Sequence, residues 1–497
     1  MKSKSILLII FLSLVGWDSL YSQKIVKKIN KKVNEKIIYQ DMMYLASDEL
    51  KGRKTGEPGN EMAASYIAEE FRKAGVKILP GLKVYYQTLP FIKYKLAPSG
   101  SIDFLDKSFT IKDQLLILDG SPVLEEVGNA VFANYALEED YTGLDVKGKY
   151  VLAQSGLPKV ASPLEVFESM PRKRKIAKEK GALGIIEIYT LPYAFNAIKN
   201  YFSQERIELS QSAAEPVSLF HAYLQIPANV NKPTWEKGQS YPIKIKSPGL
   251  INKPVNAVNV IGYIPGKKKE LADQYILLTA HFDHVGVRAG AVVDNDTIWN
   301  GARDNAWGTV SVLAAARFFA KYPPDRSVLL AAVNGEEIGL VGSKYLADHP
   351  IVPWNKVIFD LNSDGAGYSD TTIVSILGLN RVGAADEMKM ACKAFGLSTI
   401  ADPAPEQGLF DRSDNVNFAK LGIPAPTFAA GFKTFDAVVS KYYHQSIDNP
   451  TTISYGYLNR FTKSFVYSAY LIANKSKLPR WVEGDKYEAA AKKLYGY

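Results

Sequence analysis

The sequence is poor in the side chains that most often staple or activate a protein. One cysteine, Cys392, stands among 497 residues. It allows neither an intrachain disulfide nor a thiolate metal cluster. The helical pattern from Ala384 to Phe395 makes its thiol a buried, inert one. Histidine is nearly as scarce, with five residues: His221, His281, His284, His349 and His444. A centre needing three or more histidines is hard to assemble from these, so carboxylates must carry most of any metal coordination. Membrane-spanning runs are missing as well. The apolar run Ile6–Val15 is too short to cross a bilayer and follows Lys2 and Lys4. It reads as the core of a secretory signal over residues 1–22, with no cysteine nearby for a lipid anchor. The expectation is an exported protein, periplasmic or extracellular, without stable membrane insertion.

What is present is ordinary for a globular chain: 47% hydrophobic and 22% charged residues. The formal net charge of +9 is in good part local, as in Lys24, Lys27, Lys28, Lys31, Lys32 and Lys36. A solvated lysine face explains it without nucleic acid.

The chain is organised around Tyr275 to Glu337. Two apolar runs, Tyr275-Ile-Leu-Leu-Thr-Ala280 and Ser327-Val-Leu-Leu-Ala-Ala-Val333, read as buried parallel strands. Between them, Asn305 to Tyr322 has helical spacing. Strand, helix and strand make a βαβ unit, whose ligands bind at the carboxyl ends of the strands. Polar segments sit at those ends: His281-Phe-Asp283-His284, Asn300-Gly-Ala-Arg-Asp304-Asn305 and Asn334-Gly-Glu336-Glu337. A further buried strand, Lys356 to Asn362, delivers Asp364. Alternate residues at a strand end share a face, so Asp283 is expected to accept the second ring N–H of His281 and fix its tautomer. Glu336-Glu337 offers one carboxylate to coordinate and one to move protons.

Around this centre, residues 24–40 read as one amphipathic helix, with Val26, Ile29, Val33 and Ile37 inward. Asn60 to Ala74 reads as a helix stopped by Gly75. Residues 82–118 alternate as antiparallel strands. From 118 to 246 the texture changes to short strands with a basic helix, Lys173–Lys180, whose lysines read as its wet face. His221 there reads as structural. Pro248–Lys253 reads as a linker, Ile423–Phe428 as the last core strand, Tyr457–Ala473 as the closing helix, and the lysine-rich stretch beyond Asn474 as partly mobile.

Taken together, Leu45-Ala-Ser-Asp-Glu-Leu-Lys-Gly-Arg53, Asn259-Val-Ile-Gly, Ala280-His-Phe-Asp-His-Val-Gly286 and Gly335-Glu-Glu337 resemble the co-catalytic di-zinc exopeptidases, the family of bacterial leucyl aminopeptidase and glutamate carboxypeptidase. The resemblance covers most of the chain. It implies an α/β fold, a mixed central sheet flanked by helices, with an inserted, mostly β, protease-associated-like domain. The corresponding division is signal 1–22, N-terminal part of the catalytic domain 24–117, insertion 118–246, catalytic metallopeptidase domain 250–475 and tail 476–497. The resemblance also implies two Zn²⁺ ions bridged by Asp304, one completed by His281 and Asp364, the other by Glu337 and His444. Glu336 is then the general base, and the Asp304–Asn305 peptide bond is cis. The implied reaction is removal of N-terminal residues from peptides. Carboxypeptidase action and cyclisation of N-terminal glutamine use similar metal residues, and a catalytically silent peptide-binding protein is the alternative of another class. Two positions depart from the family pattern: Asn415 stands where histidine is common, and Trp307 where a small residue is common. Trp307 either narrows the substrate pocket or packs against the sheet.

Overall fold

A computed structural model of the protein describes residues 23–497 apart from 120–123, 160–162, 204, 210–218, 250, 289–295 and 366. The proposed signal over 1–22 lies outside the described residues. The chain divides into two compact units, residues 1–89 with 256–497, and residues 90–255.

The first unit is built on a mixed sheet. Its strand order is Ser398–Ile400, Ile373–Leu377, Thr427–Ala430, Val357–Ser363, Tyr275–His281, Ser327–Val333 and Ile251–Ile264. The two apolar runs pair in parallel, from Tyr275 opposite Ser327 to His281 opposite Val333. Every residue of Ser327–Val333 is buried, which is why that strand is apolar throughout rather than alternating. The helix between them is Trp307–Lys321. It packs with the helices Tyr455–Ala473 and Pro58–Ala74, and Gly75 ends the latter in the left-handed conformation at φ +83°.

The second unit holds an eight-stranded sheet among the described residues. Ser240–Ser247 alternates exposed and buried residues along its length, as a strand with one wet face must. Its basic helix runs Pro163–Glu179, and the wet-face reading of Lys173 fails. Lys173 is buried, its Nζ 2.8 Å from Glu187 Oε2, while Glu187 Oε1 lies 2.7 Å from His221 Nε2. Glu187 sits on the wholly buried strand Gly184–Ile188. A carboxylate there must be paired, and lysine and histidine turn inward to do it.

Five further readings are corrected. Residues 24–40 do not form one helix. The chain is helical over 23–32 and bends at Val33, and Asn34 accepts the Ile37 N–H at 3.1 Å to start a second helix, Glu35–Leu45. The inward set therefore becomes Ile25, Ile29, Val33 and Ile38. The units divide at 89/90 and 255/256 rather than near 118 and 246, because Ser101–Phe104 pairs with Ser240–Ser247 inside the second unit. Half of the linker, residues 251–253, is strand, since Ile251–Ile264 begins within it. The last core strand is Thr427–Ala430; Pro424 and Pro426 lack the N–H a strand needs. The end of the chain is packed, not mobile: Trp481 is buried, and Glu488–Tyr495 is a helix whose Tyr495 hydroxyl donates to the Val357 carbonyl.

The buried triad predicts an acid-labile second unit. Burial lowers the pKa of His221 below its usual 6.5. Glu187 titrates below its usual 4.5, because Lys173 and His221 outweigh the opposing cost of burial. In both cases the unfolded chain binds the proton first, so stability is full above 6.5 and falls as pH drops. Hydrogen-exchange protection of Gly184–Ile188 and Phe220–Leu224, corrected for intrinsic rate, should fall between about pH 7 and about pH 5. Protection that holds or rises contradicts this.

Candidate active site

Parallel pairing brings the polar segments together. His281 ends its strand opposite Val333, so Asn334-Gly335-Glu336-Glu337 leaves the sheet beside it. Thr279 pairs with Asn362 on the other side, which sets Asp364 at the same edge. Asp304 comes from the turn before helix Trp307–Lys321. Its peptide bond to Asn305 is cis, as the family resemblance implies. His444 enters from a loop far along the chain.

The five expected side chains meet. His281 Nε2 lies 3.3 Å from Asp304 Oδ1 and 3.2 Å from Asp364 Oδ1. His444 Nε2 lies 3.1 Å from both Asp304 Oδ2 and Glu337 Oε2. Each oxygen of Asp304 therefore serves a different half. Two groups of donor atoms result, each with all atoms within 4.8 Å of one another: His281, Asp304 and Asp364, and His284, Asp304, Glu337 and His444. Imidazole nitrogen and carboxylate oxygen around a shared carboxylate fit a pair of divalent cations of the zinc class.

The electrostatics express the same demand for positive charge. Burial disfavours charge on His444, but Asp304 and Glu337 outweigh it and raise its pKa to about 10. His281 is likewise raised against burial by Asp364 and Glu336. Burial raises Asp304, yet His281 and His444 carry it below the usual carboxylate range. Glu336 goes the other way, pushed well up by burial and by Asp364, Asp414 and Glu337 against the pull of His281. Glu336 lines a cavity of ≈ 80 Å³ with Asp304, Asp364 and His444, and Leu377, Leu409, Phe432 and Phe435 give it an apolar wall.

The part expected of Asp283 is different from the part it plays. Its carboxylate is 3.7 Å from His281 Nδ1, and the ring nitrogen lies 3.2 Å from the Asp283 carbonyl instead. The carboxylate accepts the Thr55 hydroxyl at 3.1 Å and the N–H groups of Glu336 and Glu337 at 3.1 and 3.3 Å. The turn at Gly335 points two backbone donors at it, and it takes them. Asp283 thus pins the segment that carries both glutamates.

Several supporting residues were not identified from sequence. Arg53 lies in a quoted motif but was given no part. Its buried guanidinium donates to the carbonyls of Phe282 (2.7 Å), Asn300 (2.6 Å), Gly301 (2.9 Å) and Leu45. It staples the His281 and Asp304 loops together. Asp448 accepts the Arg303 N–H at 2.9 Å, Arg303 Nη1 at 2.9 Å and the Asp304 N–H at 3.3 Å. Arg303 in turn stacks 3.7 Å over Tyr442, next to the His444 loop. Ser413 donates to Asp364 Oδ2 at 2.6 Å. His284 Nδ1 sits 2.7 Å from Glu337 Oε1. Its ring lies where a Cβ on Gly301 would come to 2.5 Å, so that position must be glycine. Of these partners, Arg53 and His284 stand in the motifs that carry the family resemblance; the others have no sequence signal.

The two departures resolve. Trp307 is buried against Tyr368, Tyr457 and Phe461, so it packs rather than narrowing the cavity. Asn415 is buried at the start of helix Asn415–Leu421 and donates to the Ala425 carbonyl at 3.0 Å.

Residues 259–469 match peptidase family M28. The chain is 32% identical over 109 residues to the vacuolar membrane protease of Saccharomyces cerevisiae, covering 22% of this chain and 10% of that one. It is 25% identical over 230 residues to the aminopeptidase YwaD of Bacillus subtilis, covering 45% and 47%. The matched stretches thus span less than half the length of these curated relatives. The solved aminopeptidase from Aneurinibacillus sp. strain AM-1 has the same fold, with a TM-score of 0.53 at 19% identity over 91% of this chain and 97% of that one. The segment that matches peptidase family M28 is the one that supplies both donor groups joined at Asp304.

Proposed function

We propose that the protein is an exported di-zinc aminopeptidase that removes N-terminal residues from peptides. The observation that carries the reading is the shared carboxylate: Asp304 faces His281 with one oxygen and His444 with the other, and Glu336 opens on the same cavity. In this reading His281, Asp304 and Asp364 hold one zinc ion, and Asp304, Glu337 and His444 hold the second. Bound there, the pair supplies a Lewis acid for the scissile carbonyl and lowers the pKa of water. Glu336 takes a proton from the attacking water and returns it to the leaving amine. Its burial among carboxylates keeps its affinity for that proton high. Asp283, bound to the Glu336 N–H, holds the base over the cavity. The apolar wall accepts the side chain of the residue to be released. Lys2, Lys4 and the run Ile6–Val15 support export, and the second unit contributes none of the proposed catalytic groups.

Glu336→Gln should lower kcat by about 10²–10⁴-fold while zinc content stays at two per chain by atomic emission. A smaller loss removes Glu336 from the role of base. Stripping the protein with a strong chelator should abolish hydrolysis, and zinc should restore it; full activity in metal-free protein contradicts the proposal. Peptides with a free N-terminus should be cleaved much faster than their N-acetylated forms. Equal rates exclude an aminopeptidase, and release of C-terminal residues or of pyroglutamyl peptides assigns the site to carboxypeptidase or cyclase chemistry.

A further inference from the structure

The cavity wall has a back, and the last twenty or so residues of the sequence form it. Leu409–Arg412 is a turn of 3₁₀ helix. With about three residues per turn, positions i and i+3 share a face. Leu409 and Arg412 accordingly line the cavity beside Asp304, Glu336, Asp364 and His444. The two residues between them turn away. Phe410 is buried, its ring 6.1 Å from Trp481 and 6.0 Å from Tyr487. Asp411 accepts Lys486 Nζ at 2.5 Å and the Tyr487 hydroxyl at 2.7 Å.

One guanidinium gathers this back face. Arg381 lies 4.1 Å from the ring of Phe410, 5.3 Å from Trp481 and 5.4 Å from Tyr487. Asp485 holds it in place, accepting Nε at 2.7 Å and Nη2 at 3.0 Å. Backbone pairing locks the same segment to the sheet side, with Val482 N–H donating to Arg381 and Gly383 N–H to Arg480. A Cβ on Gly378 would come within 2.7 Å of the Phe410 ring, and its φ of +88° favours glycine. Phe410 thus sits between Gly378 on one side and Arg381, Trp481 and Tyr487 on the other contacts of its ring.

We infer that this segment sets the shape of the substrate cavity, and that Arg381, Trp481 and Tyr487 are specificity-determining residues acting through the Leu409–Arg412 turn. None of them touches the cavity. Each bears on the residues that alternate with those that do. Loosening Phe410 and Asp411 frees Leu409 and Arg412, so the wall against the released side chain loses definition. The metal donors keep their own supports, with Asp364 tied to Ser413 and Glu337 to His284. The inference rests on the aminopeptidase reading for its substrate, though not for its geometry.

The test compares Arg381→Ala with Tyr495→Phe in the full chain. Tyr495 anchors the same segment to Val357, away from the wall, and serves as the control for general loosening. In Arg381→Ala, exchange of the Phe410–Ser413 amides should quicken by about tenfold. KM for peptides with an apolar N-terminal residue should rise about fivefold, exceeding any fall in kcat, and the preference among N-terminal residues should flatten. Tyr495→Phe should change neither. Should Arg381→Ala fail to fold, Tyr487→Phe, which loses only its bond to Asp411, carries the same comparison at about threefold. Unchanged exchange at 410–413, or equal change in the control, overturns the inference. If the unmodified protein cleaves no peptide, the aminopeptidase reading falls while the exchange comparison still decides this one.

Discussion

Negative charge crowded at one edge of a sheet is the constraint on which the rest of this structure depends. Asp283, Asp304 and Asp448 are buried there, with Glu337 and Asp364 beside them. Carboxylates in such a place are unstable without compensating cations or donors. The protein answers in layers. Arg53 and Arg303 are permanent cations of the scaffold, and their hydrogen bonds tie together the loops that carry the acids. Backbone N–H groups take Asp283 and Asp448. What remains unbalanced is the set around Asp304, and the raised pKa values of His281 and His444 express that remainder.

The acids therefore divide by the company they keep. Asp283 spends its oxygens on backbone and hydroxyl donors, Asp448 on backbone and guanidinium donors, and both work as fasteners. Asp304, Glu337 and Asp364 each turn an oxygen towards an imidazole. For Glu337 and Asp364 the second oxygen is tied down by a neighbour, His284 or Ser413. A ligand held by its other atom loses little freedom on binding a cation, which is how supporting residues tune a metal site. The cavity wall follows the same logic at one remove: residues facing the cavity are held by neighbours facing away.

Much of this was legible in the sequence because it is carried by local pattern. Uniform apolar runs marked the two parallel strands, and the strand ends then dictated where His281, Glu336 and Glu337 must emerge. The five proposed ligands and the base came from family resemblance, and the geometry brings them together. What escaped was set by partners distant in sequence. Asp283 looked like a histidine partner from its spacing, but the Gly335 turn offers it better donors. Arg53 is 229 residues from Phe282, whose carbonyl it holds, and Asp448 is 145 residues from Arg303. No periodicity reports such contacts. Lys173 read as solvated because lysine usually is, and only the buried Glu187 overrules that. The final segment reads as mobile because it is polar and rich in lysine, yet Trp481, Tyr487 and Tyr495 suffice to dock it.

The central claim is that the charge surplus around Asp304 exists to hold two metal ions. Anomalous diffraction at the zinc edge from crystals of the zinc-loaded protein tests it most directly. The account predicts two peaks about 3.5–4 Å apart, one between His281 and Asp364, the other between Glu337 and His444, with an oxygen of Asp304 towards each. A single peak, or two that do not share Asp304, would contradict it.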